Sequence, residues 1–95
     1  MYKDEFEKLS VQAEVFKALS HPTRIFIVQR LLEREHYVNE LTEMIGVEAP
    51  TISKHLSVLK NVGIIGSRKE SNNVFYYIIC KCVKDTLNCA TKMEK

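Results

Sequence analysis

The stretch "NELTEMIGVEAPTISKHLSVLKNVGII", positions 39 to 65, limits the fold more than any other part of the chain. Gly46 is a natural stop for the helix before it, and Pro50 suits the first turn of the helix after it. The "GVEA" between them leaves room only for a tight turn. Ile52, Leu56, Leu59 and Val62 then recur at helical spacing on one side, until Gly63 ends the run. Beyond it the period changes. "IIGSR" and "NVFYYII" are rich in β-branched and aromatic residues, and "KESNN" between them has the composition of a turn. Two short helices meet at a glycine turn and a hairpin follows.

The flanks are helical. Phe6, Leu9, Ala13, Phe16 and Leu19 keep three- and four-residue spacing and predict a helix from about Asp4. "SHPTR" breaks it, with Ser20 or His21 as cap and Pro22 opening a second helix to about Glu35, whose apolar side carries Ile25, Val28, Leu31 and Leu32. The third helix is expected to begin after Asn39 as its N-cap, leaving His36 in a loop with nothing to mark it as a ligand. A last amphipathic helix runs from Val83 to Met93. The expected order is α-α-α-α-β-β-α, mostly α with a small β-hairpin, in a single domain over residues 1–95. A domain of 95 residues is marginally stable alone, and pairing with a second copy is a common remedy. The first and last helices are the apolar ends best placed to form a homodimer.

A net charge of +2 does not by itself imply a polyanionic partner. Position matters more: Lys54, Lys60, Arg68 and Lys69 fall in a stretch from Thr51 to Lys69 that holds no carboxylate. The longest apolar run, "IFIV", is far short of a membrane span, so a cytoplasmic location and no membrane partner are expected. An odd number of cysteines in a reducing compartment reads as free thiols, ligands or redox switches, not a disulfide framework.

The arrangement is that of a winged helix-turn-helix. A helix fits the major groove of B-form DNA and reaches base edges with its N-terminal residues. The expected contacts to double-stranded operator DNA are Ala49 at the end of the turn and Pro50, Thr51, Ser53, Lys54, Ser57 and Lys60 on the recognition helix. Arg68, Lys69, Asn72 and Asn73 would act from the hairpin, the wing, along the minor groove or its phosphates. His55, within "SKHL", is read as a structural hydrogen-bonding residue and His21 as a cap. A winged helix that serves as a protein-interaction module is the alternative. An enzyme is not expected, because the chain has no Gly-rich phosphate loop and no Ser/His/Asp constellation at useful spacing.

"FKALSHPTRIFIVQRLL", "VNELTEMIGVEAPTISKHLSVLKNVGII" and "NNVFYYI" resemble the ArsR/SmtB family of small dimeric winged-helix repressors, from about Val15 to Ile79. The resemblance implies a homodimer on operator DNA, released when a metal, metalloid or oxidant meets the protein. Glu48 and Ala49 depart from the Ser or Thr cap and the Gln usual before the recognition helix. The family's "CVC" site is absent, since Tyr37 and Asn39 stand at those positions.

A second site known in the family, an Asp-x-His pair where the wing meets the last helix, maps onto Cys80 and Cys82. Such a pair suits thiophilic ions such as As(III), Cd(II) or Zn(II), as inducer and not as obligatory cofactor. The downstream partner positions offer Met93 and Glu94 as nearest residues, and Cys89 is the remaining thiol. On one continuous helix Cys82 and Cys89 would stand about 10.5 Å apart along the axis. Two thiolates on one ion must lie within about 4.6 Å. A same-chain trio of Cys80, Cys82 and Cys89 therefore requires the helix to start after Cys82. Otherwise Cys89 acts across the dimer, in a metal site or an inter-subunit disulfide, or takes no part. Lys81, Lys84 and Lys92 favour thiolate only weakly, so a thiol-redox response and ligand-independent repression both stay open.

Overall fold

A computed structural model describes residues 2–93, so Glu94 lies outside the described residues. The helices are α1 (Tyr2–Ala18), α2 (Pro22–Glu33), α3 (Val38–Ile45), α4 (Ala49–Asn61) and α5 (Val83–Lys92). The strands are β1 (His36–Tyr37), β2 (Ile65–Glu70) and β3 (Asn73–Ile78). The observed order is thus α-α-β-α-α-β-β-α, and the expected hairpin is part of a three-stranded antiparallel sheet ordered β1-β3-β2.

Each boundary has a local cause. His21 caps α2 in extended conformation, its Nδ1 accepting from the Thr23 N–H at 3.1 Å, and Pro22 follows where its missing N–H costs nothing. Gly46 ends α3 in the left-handed region at φ 78° and donates its N–H to the Thr42 carbonyl. Gly63 does the same service after α4 at φ 82°, and the Ile64 N–H then reaches back to the Leu59 carbonyl. A side chain at either position would strain the backbone.

The additional strand corrects two expectations. His36 is not in a loop: it pairs with Tyr76, as Tyr37 pairs with Phe75, and its side chain is buried. The N-cap of α3 is Tyr37, not Asn39. The carboxylate of Glu40 turns back to accept from the Tyr37 N–H at 3.0 Å, which satisfies one of the helix's free donors.

The core joins Ala18 and Leu19 from the end of α1 to Ile27, Val28 and Leu31 of α2 and Leu41 of α3. Ile52, Leu56 and Leu59 of α4, with Ile64, Ile65 and Val83, complete it. Helix α1 contributes only its last turns. Tyr2, Phe6, Leu9, Val11 and Phe16 are exposed, so most of the stripe that predicted the helix lies outside the core, and only its last member, Leu19, is buried there. Among the described residues no helix is long and apolar enough to cross a membrane.

Candidate nucleic-acid interface and the cysteine junction

Helix α4 divides cleanly. Ile52, Leu56 and Leu59 are 0% exposed. Ala49, Pro50, Thr51, Ser53, Lys54, Ser57 and Lys60, the expected DNA contacts before the wing, are all exposed, and Ala49 belongs to the helix, not to the turn before it. The carbonyl of Glu48 accepts from the Thr51 and Ile52 N–H groups, but the Glu48 side chain makes no capping bond. Thr51, Ser53, Lys54 and Ser57 border an open groove of about 480 Å³, whose lining also includes Arg24 of α2 and His55 of α4. Hydroxyls and an ammonium around such a groove offer donors to phosphate and base edges.

The wing is less uniform than its sequence suggests. Lys69, Asn72 and Asn73 are exposed at its tip. Lys60 turns toward the base of the wing, its Nζ donating to Ser67 Oγ at 2.8 Å. Arg68 is tied down: it pairs with Glu35 at 2.7 Å and Glu70 at 3.2 Å, and lies 4.9 Å over the Phe75 ring. Those carboxylates raise its pKa further, and Arg68 in turn lowers that of Glu35. It fastens the wing to the segment before β1 and has less freedom to meet a phosphate than Lys69. The sequence holds both residues in plain view; the third strand that aligns them was not expected.

Behind α4, Arg24 Nε donates to His55 Nδ1 at 3.1 Å, and the His21 and His55 rings lie 4.5 Å apart. Burial, then the neighbouring His21 and Arg24, lowers the His55 pKa. That favours the neutral ring whose Nδ1 accepts. His55 is a hydrogen-bonding residue, as its sequence context suggested.

At the β3–α5 junction the Cys80 and Cys82 sulfurs are in contact, close enough to be joined as a disulfide, with Cα atoms 5.4 Å apart. Cys82 is the N-cap of α5, so the helix does start after it. Cys89 nonetheless stands free and exposed on α5. Among the described residues no three His, Cys, Asp or Glu side chains group so as to hold a metal. The trio therefore does not converge within one chain. The junction is hydrogen-bonded to the recognition element: the Ile79 and Cys80 N–H groups both donate to the Ile64 carbonyl, at 2.9 and 3.3 Å. Ile64 directly follows the glycine that ends α4.

Comparison with known proteins agrees with this architecture. The model of the family described as "Bacterial regulatory protein, arsR family" matches residues 21–67. An uncharacterized HTH-type transcriptional regulator of Methanocaldococcus jannaschii is 38% identical over 92% of this chain and 99% of its own length. A biofilm growth-associated repressor of Xylella fastidiosa is 39% identical over 80% of this chain and 68% of its own. A homodimeric winged helix-turn-helix DNA-binding domain from Mycobacterium bovis superposes with a TM-score of 0.86 at 25% identity, covering 98% of this chain and 86% of that one. The chain belongs to the arsR family of bacterial regulatory proteins and is a winged-helix transcriptional regulator, not an enzyme.

Proposed function

We propose that the chain is a homodimeric repressor that binds double-stranded operator DNA through α4 and the wing tip, and releases it when Cys80 and Cys82 change state. The observation that carries the DNA reading is the division of α4, whose apolar side is sealed while its hydroxyls and Lys54 stand around an open groove. The exposed stripe on α1 supports the dimer, since a twofold pair of α1 and α5 helices would cover it. Such a dimer sets two α4 helices for half-sites about 34–36 Å apart.

The cysteine pair supports a thiol–disulfide switch. Two thiols at the junction give up two protons and two electrons to an oxidant and form one S–S bond, which stiffens the link from β3 into α5. The same link is bonded to Ile64, so strain there reaches both the end of α4 and the α5 helix of the dimer. Oxidation and operator binding then oppose each other by a shared coupling energy, about 1–3 kcal/mol in typical cases. A soft ion is the second reading: Cys80 and Cys82 offer two thiolates, and a third ligand, Cys89 included, would come from the partner subunit.

The test begins with a duplex enriched from a random pool by the reduced protein, and affinity is measured as salt is raised. A repressor using several lysines loses affinity steeply; a flat profile would favour the protein-interaction module. Diamide, arsenite and cadmium are then added separately to wild type and to Cys80→Ser and Cys82→Ser variants. Release by diamide alone in wild type, lost in both variants, supports the redox switch. Release by arsenite or cadmium supports the soft-ion reading, and release that survives the substitutions removes both.

A further inference from the structure

We infer that Arg24 is a positioning residue that fixes the orientation of the recognition helix relative to the dimer-forming helix; this rests on the dimeric DNA-binding reading above. Helix α1 meets the body through few side chains, Val15, Ala18 and Leu19 near its C-terminus. Between its last turns and α4 a cleft of about 300 Å³ is left open, bordered by Glu14, Lys17, Val58 and Val62. Apolar packing therefore fills little of the interval that relates the two helices.

Arg24 spans it. Its Nη1 donates to the Lys17 and Ala18 carbonyls at 3.5 and 3.4 Å, the free end of α1, and its Nε donates to His55 Nδ1 at 3.1 Å on α4. A guanidinium holds its donors in one rigid plane, so satisfying both ends sets the approach and the angle of the two helices together. The cation also faces the negative end of the α1 dipole. A lysine keeps the charge but, as a single point on a flexible stem, cannot join the two ends in a fixed geometry. In a twofold dimer a small error in that angle is applied at both half-sites, so it alters their spacing and costs specific binding twice.

The experiment uses the full chain and the duplex selected by wild type, with one base pair inserted between half-sites as a second probe and a random duplex as a third. In Arg24→Lys and His55→Phe, affinity for the selected duplex should fall about tenfold or more, the scale of a charge-assisted hydrogen bond. Affinity for random duplex and the salt slope should match wild type, and the penalty for the inserted base pair should shrink. The double variant should be no worse than the poorer single one, because both act through one contact. A salt slope shallower by about 0.9 per protomer in Arg24→Met, which removes the charge, would make Arg24 a phosphate ligand and overturn the inference. An unchanged spacing penalty would overturn it too. Arg24→Met tests removal of the charge; should it melt below the assay temperature, the lysine and phenylalanine variants decide. A wild-type chain that selects no duplex sinks the repressor reading and this inference together, whereas selection by wild type with normal spacing preference in Arg24→Lys sinks this inference alone.

Discussion

Helices α1 and α4 carry similar sequence signals and meet opposite fates. Both have an apolar stripe at three- and four-residue spacing. In α4 the stripe is 0% exposed at Ile52, Leu56 and Leu59; in α1, Phe6 and Phe16 are 64% and 62% exposed. Periodicity marks a face that must be covered and does not say by what. One stripe is completed inside the chain by α2, α3 and the sheet. The other is left uncovered within one chain; in the proposed dimer a second copy covers it, and the difference then separates residues that make the fold from residues that make the assembly.

Substitution should separate them in the same way. Leu56→Ala removes a fully buried side chain that no partner can replace, at a cost of about 2–5 kcal/mol, much of the stability of so small a domain. Its chemical-denaturation midpoint should fall at every protein concentration. Phe16→Glu leaves the monomer core untouched. It should cost about 2 kcal/mol of association from lost apolar burial, with charge repulsion added, and sedimentation should show monomers at concentrations where wild type dimerises. A Phe16→Glu chain that dimerises as wild type does would mean that the α1 stripe is covered by something other than its copy.

The residues explain how much of this was readable in advance. Capping and stop signals are local chemistry, so His21, Pro22, Gly46 and Gly63 placed the helix ends to within a few residues. Five outward residues of α4, Thr51, Ser53, Lys54, Ser57 and Lys60, followed from helical geometry, whereas Ala49 was expected in the turn and proves to be the first residue of the helix. Strand β1 was not readable, because His36 and Tyr37 form it only by pairing with Tyr76 and Phe75 across a long stretch of chain. The loss propagated: without β1, Asn39 looked like the cap of α3, His36 looked like a loop residue, and the approach of Glu35 to Arg68 had no cause. The Cys-x-Cys spacing showed that two sulfurs could act together, but the separation of Cys89 from them depends on how α5 leaves the sheet.

A smaller effect sharpens the comparison at the outward face of α4. Lys54→Ala should leave folding and dimerisation unchanged while making the salt dependence of duplex binding shallower by about 0.9 in slope per protomer, one phosphate contact each. Arg68→Ala should change that slope less, because its guanidinium is already engaged by Glu35 and Glu70. Equal changes would mean that DNA draws Arg68 off its carboxylates. Titrations at a series of salt concentrations read both.

The least of the expected effects concerns the brace on which α4 leans. Helix α3 is anchored at its start by Glu40, which accepts from the Tyr37 N–H and pairs with Arg34 at 2.7 Å, and lies 3.5 Å from His36 Nδ1. The hydrogen bond from Arg34, followed by that from the Tyr37 backbone, pulls the Glu40 carboxyl down to about 2. A carboxyl whose pKa is depressed on folding contributes stability that is complete above its unfolded value, near 4.5, and is lost as pH falls through the folded value. Glu40→Gln should therefore cost about 0.5–1 kcal/mol at neutral pH, the scale of a lost helix cap. The gap between variant and wild type should close between pH 4.5 and 2, as wild type loses its own anchor. Thermal melts of both proteins across that range measure it. A gap that stays constant to pH 2 would show that Glu40 matters by its shape and not by its charge, and that α3 holds α4 by apolar packing alone.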